Sequence, residues 1–205
     1  MSNLVHHSIS VFLGFFAIMN PIANTAVFIG LTGDSSSAER KKIAGKALLI
    51  SFFIILAFSI SGKAIFHLFG ITLPALRITG GSMVFIIGYQ MLHGSASKMH
   101  SSEVKSSSDI SISPLSVPIL AGPGTIATSM NYAAIGGWGG IIITVTSFLF
   151  LCLITFLCFM SGEKLMKLIG KSGMEITTRL MGLILAVIGV QMLLEGVQGA
   201  ISVWG

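Results

Sequence analysis

Hydrophobic residues are gathered into six long runs, and short polar segments separate them. The runs cover residues 5–31, 43–66, 74–93, 114–135, 138–160 and 176–198. Each is long enough for an α-helix to cross a bilayer, which takes about 20 residues for roughly 30 Å of hydrocarbon. Lipid offers open backbone no hydrogen-bond partners, so the pattern predicts six transmembrane helices and an all-α polytopic membrane protein.

Composition supports this class. Hydrophobic residues make up 53% of the 205 positions and charged residues 9%, whereas about a quarter of an ordinary soluble domain is charged. The first run has no basic residues before it and no small-residue cleavage site after it, so we expect it to remain in the mature protein. Cys152 and Cys158 are predicted to be unpaired.

The two halves of the chain resemble each other. The segment GSMVFIIGYQML at Gly81–Leu92 is matched by GLILAVIGVQML at Gly182–Leu193, 101 residues later. Each match follows an arginine, at Arg77 and Arg179, and each arginine follows a Leu-X-Gly triplet that ends at Gly70 or Gly170. These landmarks predict a three-helix repeat in residues 1–93, a serine-rich linker in 94–113 and a second three-helix repeat in 114–205. An odd number of spans per repeat makes the second repeat inverted.

Basic residues are distributed unequally between the two predicted membrane faces. Cytoplasmic loops carry an excess of Lys and Arg. One face would hold only Lys63 and Arg77, and the other the remaining ten: Arg40, Lys41, Lys42, Lys46, Lys98, Lys105, Lys164, Lys167, Lys171 and Arg179. This asymmetry predicts that the linker lies in the cytoplasm and both termini outside. It also accounts for most of the net charge of +5, which therefore indicates no nucleic-acid partner.

A proline interrupts the apolar run at the head of each half, in MNPIAN at Pro21 and in LAGPGTIATSMN at Pro123. A proline inside a helix removes one donor and frees nearby carbonyl groups, which are costly in hydrocarbon unless they face protein or a cavity. One such proline is commonly a packing kink. Paired broken helices in inverted repeats are instead typical of the substrate site of a secondary transporter, near the middle of the membrane.

The residues around the two breaks are the candidate substrate-binding set: Asn20, Pro21, Asn24, Thr25, Gly122, Pro123, Gly124, Thr125 and Thr128. Amides and hydroxyls donate and accept hydrogen bonds, and glycines expose backbone. A half-helix N-terminus favours an anion and freed carbonyls favour a cation, a combination that suits a zwitterion. Arg77 and Arg179 either anchor helix ends or close the path and meet a carboxylate. The remaining glycines, Gly80, Gly81, Gly88, Gly182 and Gly189, are predicted to make close helix contacts.

These motifs resemble the MarC family of six-helix inner-membrane proteins. The resemblance rests on NPIAN at Asn20–Asn24, FIGLT at Phe28–Thr32, SAER at Ser37–Arg40, RITGG at Arg77–Gly81, the Val117–Thr125 segment and RLMG at Arg179–Gly182. It implies a bacterial or archaeal inner-membrane protein of inverted three-helix repeats. Some relatives are described as transporters of small neutral amino acids such as glycine and alanine.

Several functions remain open on the sequence alone. The leading hypothesis is a secondary transporter of a small neutral amino acid that works by alternating access, with Na⁺ or H⁺ as the possible coupling ion and no cofactor. An exporter of drugs or metabolites would need a larger, more aromatic cavity. A membrane enzyme is disfavoured because the chain lacks HExxH, GxSxG and paired intramembrane carboxylates. A structural subunit would have no use for two paired breaks.

Overall fold

The computed structural model describes residues 2–33, 35–93, 120–135 and 137–204, and this part of the chain is helical without strands. The helices are α1 (Ser2–Met19), α2 (Pro21–Leu31), α3 (Ser37–Phe69), α4 (Leu73–Leu92), α5 (Pro123–Ala134), α6 (Trp138–Met160) and α7 (Gly162–Trp204). The all-α prediction is confirmed for these residues.

Within the described residues, five segments are long and apolar enough to cross a membrane. They are Val5–Leu31, Ser37–Gly62, Leu73–Leu92, Trp138–Met160 and Ser172–Ser202. They correspond to five of the six predicted runs. The sixth, 114–135, lies partly outside the described residues, which contain its α5 portion of 12 residues. The predicted linker 94–113 lies wholly outside them.

The two Leu-X-Gly triplets share a backbone feature. Gly70, which follows α3, has φ of 63°, and Gly170, which bends α7, has φ of 66°. Both values lie in the left-handed region that glycine adopts without a Cβ clash. The matching sequence positions therefore both hold a glycine with positive φ, one just before α4 and one just before the apolar Ser172–Ser202 segment of α7.

Helices α4 and α7 pack against each other more extensively than any other pair in the described residues. A Cβ atom placed on Gly81 would lie 2.7 Å from the carbonyl oxygen of Gly189, and one on Gly189 would lie 2.7 Å from that of Gly81. Gly88 and Gly182 make the same reciprocal approach, at 2.6 and 2.8 Å. The predicted close helix contacts are confirmed here, since the antiparallel backbones touch with no room for a side chain.

The larger apolar core joins α1, α2, α3, α6 and the segment that leads into α5. Phe15 of α1 meets Phe148 of α6 edge to face, with ring centroids 5.2 Å apart. Phe28 of α2 and Phe159 of α6 stack in parallel at 4.4 Å. The rest of the buried cluster is Val11, Met19, Ala44, Ala47, Leu48, Ile55, Leu120, Ala121, Leu151 and Cys152. Cys152 and Cys158 are free thiols, as predicted.

Candidate solute-binding site

The first break is a single left-handed residue between two helices. Helix α1 ends at Met19, Asn20 has φ of 38° and ψ of 71°, and α2 begins at Pro21. Asn20 is the one non-glycine residue with positive φ in the described chain, and it is only 4% exposed. Asparagine tolerates this conformation better than most residues. Since Pro21 has no N–H, the buried carbonyl of Ala17 cannot receive its usual helical hydrogen bond.

Most polar groups of the first break bond locally. The Oδ1 atom of Asn20 accepts a hydrogen bond from the N–H of Ala23 at 3.3 Å, which caps α2. The side-chain amide of Asn24 donates to the carbonyl of Met19 at 2.6 Å, and the Thr25 hydroxyl donates to the carbonyl of Pro21 at 2.7 Å. The Nδ2 atom of Asn20 is different, because it is buried and has no hydrogen-bond partner in the described residues.

At the second predicted break, α5 begins at Pro123 without a side-chain cap. Gly122 occupies the N-cap position with extended backbone, φ −71° and ψ 172°, and as a glycine it has no side chain to cap the first turn. The carbonyl of Gly122 accepts from the N–H of Ile126 at 3.0 Å. Gly122, Gly124 and Thr125 are buried, whereas Pro123 is exposed. The N–H groups of Gly124 and Thr125 are therefore buried donors at a helix N-terminus.

Thr128 lies one turn further along α5 and is only 1% exposed. Its hydroxyl has no hydrogen-bond partner in the described residues. By contrast, the hydroxyl of the neighbouring Ser129 donates to the carbonyl of Ile126 at 2.8 Å. Since helical side chains lean toward the N-terminus of their helix, the Thr128 side chain covers the first turn of α5.

The two breaks meet in the fold. A Cβ atom on Gly124 would lie 3.1 Å from Cδ1 of Ile18, in the last turn of α1, and 2.8 Å from Cδ1 of Ile87 in α4. Leu120 and Ala121 belong to the same buried cluster as Met19. The carbonyl end of α1 and the amide end of α5 are thus neighbours. In the described residues, no hydrogen bond joins a polar side chain of the first break to one of the second.

The two candidate arginines have different surroundings. Nε of Arg77, near the start of α4, donates to Oδ1 of Asn131 at 3.0 Å and lies 3.8 Å from Oε2 of Glu195 in α7. It therefore connects three helices, two of them from the second half of the chain. Arg179 is exposed on α7 and takes part in none of the hydrogen bonds or ion pairs of the described residues.

A cavity of about 510 Å³ lies at a third place, where the end of α2 meets the start of α3 and the α6–α7 junction. Its lining mixes charged, hydroxyl and apolar side chains: Phe28, Ile29, Ser35, Ser37, Arg40, Phe159, Met160, Ser161, Glu163 and Lys164. The sequence analysis did not predict this cavity. Its sequence signals are the basic cluster after α2 and the charges after α6, which we interpreted only as determinants of topology.

Arg40 connects two of the elements that line this cavity, the end of α2 and the start of α7. Its Nε and Nη2 atoms donate to the carbonyls of Thr32 and Gly33, each at 3.0 Å, and its Nη1 atom lies 2.7 Å from Oε1 of Glu163. The hydrogen bond and the positive charge of Arg40 lower the pKa of the Glu163 carboxyl below its usual value of 4.5. The guanidinium thus caps the end of α2 and ties it to the start of α7.

Along α2, the Phe28–Phe159 stack lies between the cavity and the first break. Phe28 lies three residues after Thr25 on α2, so the two share a helix face. Thr25 packs against the α6–α7 junction. A Cβ atom placed on Gly162 would lie only 2.9 Å from Cγ2 of Thr25. One aromatic pair and one helical turn therefore stand between the cavity and the buried amide of Asn24.

Comparison with known proteins defines the family. The model of the MarC family integral membrane proteins matches residues 5–201. UPF0056 membrane protein YvbG of Bacillus subtilis is 43% identical, over 95% of this chain and 96% of the relative. UPF0056 membrane protein MJ1677 of Methanocaldococcus jannaschii is 36% identical, over 96% and 98% of the two chains.

A third relative is named for the membrane in which it resides. UPF0056 inner membrane protein MarC of Salmonella typhimurium is 35% identical, over 91% of this chain and 92% of its own. No solved structure matches the chain. The family match over nearly the whole sequence confirms the resemblance seen in the motifs, and five described segments are long and apolar enough to cross a membrane. The chain belongs to the MarC family of multi-pass integral membrane proteins.

Proposed function

We propose that this protein is a secondary transporter of a small neutral solute, most simply a small neutral amino acid such as glycine or alanine, and not an enzyme. The solute would bind where the two helix breaks meet. One observation carries the proposal: each break contributes one deeply buried polar atom without a partner, Nδ2 of Asn20 and Oγ1 of Thr128.

The energetics of these atoms support a ligand site. A buried polar group without a partner costs about 1–3 kcal/mol, and more than nine in ten find a partner in folded proteins. Two such atoms on two adjoining half-helices are expected where a solute supplies the missing partner. The candidate residues at the breaks are all uncharged, which favours a solute whose own charges cancel.

The repeat architecture supports movement around this site. The reciprocal contacts of Gly81 with Gly189 and of Gly88 with Gly182 are the pattern that two antiparallel helices related by a two-fold axis would make. The equal φ values at Gly70 and Gly170 fit the same relation. We propose that residues 1–93 and 114–205 are inverted repeats that rock against each other to give alternating access.

The charge asymmetry supports a proposal for which end of the path lies on which side of the membrane. With the linker in the cytoplasm, the Arg40–Glu163 pair and the 510 Å³ cavity face the cytoplasm, and the cluster of Arg77, Asn131 and Glu195 faces outside. Each cluster joins the first half of the chain to the second. In this proposal they close the path at opposite ends.

A second candidate function is export of a larger drug or metabolite. The observation that favours it is the 510 Å³ cavity, which carries Phe28, Phe159 and Met160 in its lining. This volume lies within the range of drug-sized sites. The cavity is nevertheless placed at the charged end of the molecule, away from the paired breaks, so we rank this function second.

Uptake into proteoliposomes tests the proposal. Radiolabelled glycine and alanine would be offered to vesicles that hold the purified protein, with imposed Na⁺ or H⁺ gradients and protein-free vesicles as the control. We expect saturable uptake driven by one of the gradients, which would name the coupling ion. Monodisperse protein that takes up neither amino acid under any gradient would overturn the proposal, and drug-dye efflux by the same vesicles would favour the exporter.

A further inference from the structure

The first two turns of α5 hold three buried hydrogen-bond donors. They are the N–H groups of Gly124 and Thr125, which the Gly122 N-cap leaves without a side-chain acceptor, and the hydroxyl of Thr128. All three residues are buried. Helix α5 has 12 residues, so the aligned peptide dipoles place partial positive charge at this end.

The unpartnered hydroxyl of Thr128 indicates a bound group independently of the helix terminus. Four other buried threonines, Thr25, Thr32, Thr144 and Thr155, donate their hydroxyls to the carbonyl four residues earlier. Thr25 does so at 2.7 Å, Thr144 at 2.7 Å and Thr155 at 2.8 Å. Thr128 could bond in the same way to the carbonyl of Gly124, yet its buried hydroxyl has no partner in the described chain. The donor is therefore available to a group bound at the first turn.

We infer that this turn binds the carboxylate of the transported solute, through the N–H groups of Gly124 and Thr125 and the hydroxyl of Thr128. The inference rests on the proposed function, because it names the part of the solute that meets α5. The three groups would donate hydrogen bonds to the carboxylate oxygens, and none of the three carries a positive charge. Because burial of an unpaired charge is costly, such a site favours a solute that carries a positive group as well as the carboxylate.

The neighbouring end of α1 supplies the complementary polarity. This end of α1 carries the negative end of the helix dipole. The carbonyl of Ala17 also lacks its helical hydrogen bond, because Pro21 has no N–H. The contact between Ile18 and Gly124 places this carbonyl end beside the amide end of α5. An α-amino acid carries its ammonium and its carboxylate on the same carbon. It therefore suits a site where the carbonyl end of one helix lies beside the amide end of another.

Displacement of bound radiolabelled glycine from the purified, full-length protein tests the inference. Unlabelled glycine and alanine should displace it. Glycinamide, which keeps the ammonium and lacks the carboxylate, should compete at least about tenfold more weakly, as expected for the loss of charge-assisted hydrogen bonds. Equal competition by glycinamide would overturn the carboxylate assignment and leave amino-acid binding standing.

Three variants locate the contact. Thr128→Val removes the hydroxyl at nearly constant volume and should weaken glycine binding about tenfold or more. Thr128→Ser keeps a hydroxyl and should restore most of the affinity. Thr144→Val is the matched control, because that buried hydroxyl already bonds its own helix. Wild-type affinity in Thr128→Val would overturn the inference.

Two further outcomes separate the causes of failure. If Thr128→Val does not fold, as judged by thermal unfolding, the glycinamide comparison in the wild-type protein decides the inference alone. If no amino acid binds or displaces label in the wild-type protein, the proposed function itself fails, and the inference fails with it.

Discussion

The side-chain amide of Asn24 donates a 2.6 Å hydrogen bond to the carbonyl oxygen of Met19, across the break between α1 and α2. The acceptor is the last residue of α1. The donor lies in the first turns of α2 and is buried. The bond therefore replaces, with a side chain, part of the hydrogen bonding that the helix loses at Pro21.

Asn24→Ala should lower the free energy of unfolding by about 1–3 kcal/mol, because it leaves the Met19 carbonyl buried without a donor. Thermal unfolding in nanodiscs would measure the change. Ser61→Ala is the control, since that hydroxyl bonds its own helix at an exposed position and its loss should be close to neutral. Wild-type stability combined with lost glycine binding would show that Asn24 contacts the solute instead.

Gly88→Ala should destabilise the α4–α7 pair by about 1–3 kcal/mol or more, because overpacking against backbone cannot be relieved by a rotamer change. The added Cβ would lie 2.5 Å from the nitrogen of Ala186 and 2.6 Å from the oxygen of Gly182. Unfolding by denaturant in mixed micelles would measure the loss. Gly45→Ala, which meets nothing within 4 Å, should be neutral or slightly stabilising, and equal behaviour of the two variants would contradict the close contact.

The Arg40–Glu163 pair should give a pH-dependent contribution to stability. The pKa of Glu163 is lowered in the folded protein, so this contribution is present above the usual carboxyl pKa of 4.5 and is lost as the pH falls below it. Glu163→Gln should therefore be slightly less stable than wild type near neutral pH, and the difference should shrink in acid. Unfolding temperatures from pH 7 to pH 3 would test this, and a difference that grows in acid would contradict it.

Arg77 and Asn131 should be energetically coupled. Contacting residues in one hydrogen-bond network show interaction energies of about 0.5–3 kcal/mol in double-mutant cycles. The cycle would combine Arg77→Gln with Asn131→Ala and read out stability. A parallel cycle of Arg179→Gln with Asn131→Ala should give a value near zero, since Arg179 is exposed and shares no contact with Asn131 in the described residues.

Removal of the Phe28–Phe159 stack should open a route from the cavity to the first break. In a cysteine-free background, Thr25→Cys would be labelled with a small water-soluble thiol reagent. Phe28→Ala should raise its labelling rate at least several-fold, because the ring that separates the cavity from Thr25 is gone. The matched control is Phe12→Ala, on α1, which should leave the rate unchanged. Equal rates with and without Phe28 would show that another group closes this path.

Some of these features could be predicted from local sequence and others could not. Pro21 and Pro123 predicted interruptions because proline cannot continue a helix, and the glycine pairs of α4 and α7 were predicted to be helix contacts because small residues permit close approach. The Arg40–Glu163 pair joins residues 123 positions apart, and no periodicity relates them. Partners at that separation depend on the tertiary fold.

The candidate binding site shows the same division. The polar composition around each proline indicated the region, yet it did not separate the residues that cap helices from those that keep unused hydrogen-bonding capacity. Asn20 and Asn24 are four residues apart and chemically identical, but one side-chain nitrogen is satisfied and the other is not. Asn20 has left-handed backbone at the break whereas Asn24 lies inside α2, and the sequence around the two residues does not show this difference.

The contact of α4 with α7 has a mechanical consequence. Where glycine backbones touch, no side chains interlock, so a small rotation of one helix over the other needs no rotamer to change and no knob to leave its hole. By contrast, α1 and α2 hold buried aromatic rings against α6, which would have to repack in such a displacement. If the two halves rock as proposed, we expect the α4–α7 crossing to be the pivot, so a cross-link placed at it should be tolerated better than one placed between the helix ends.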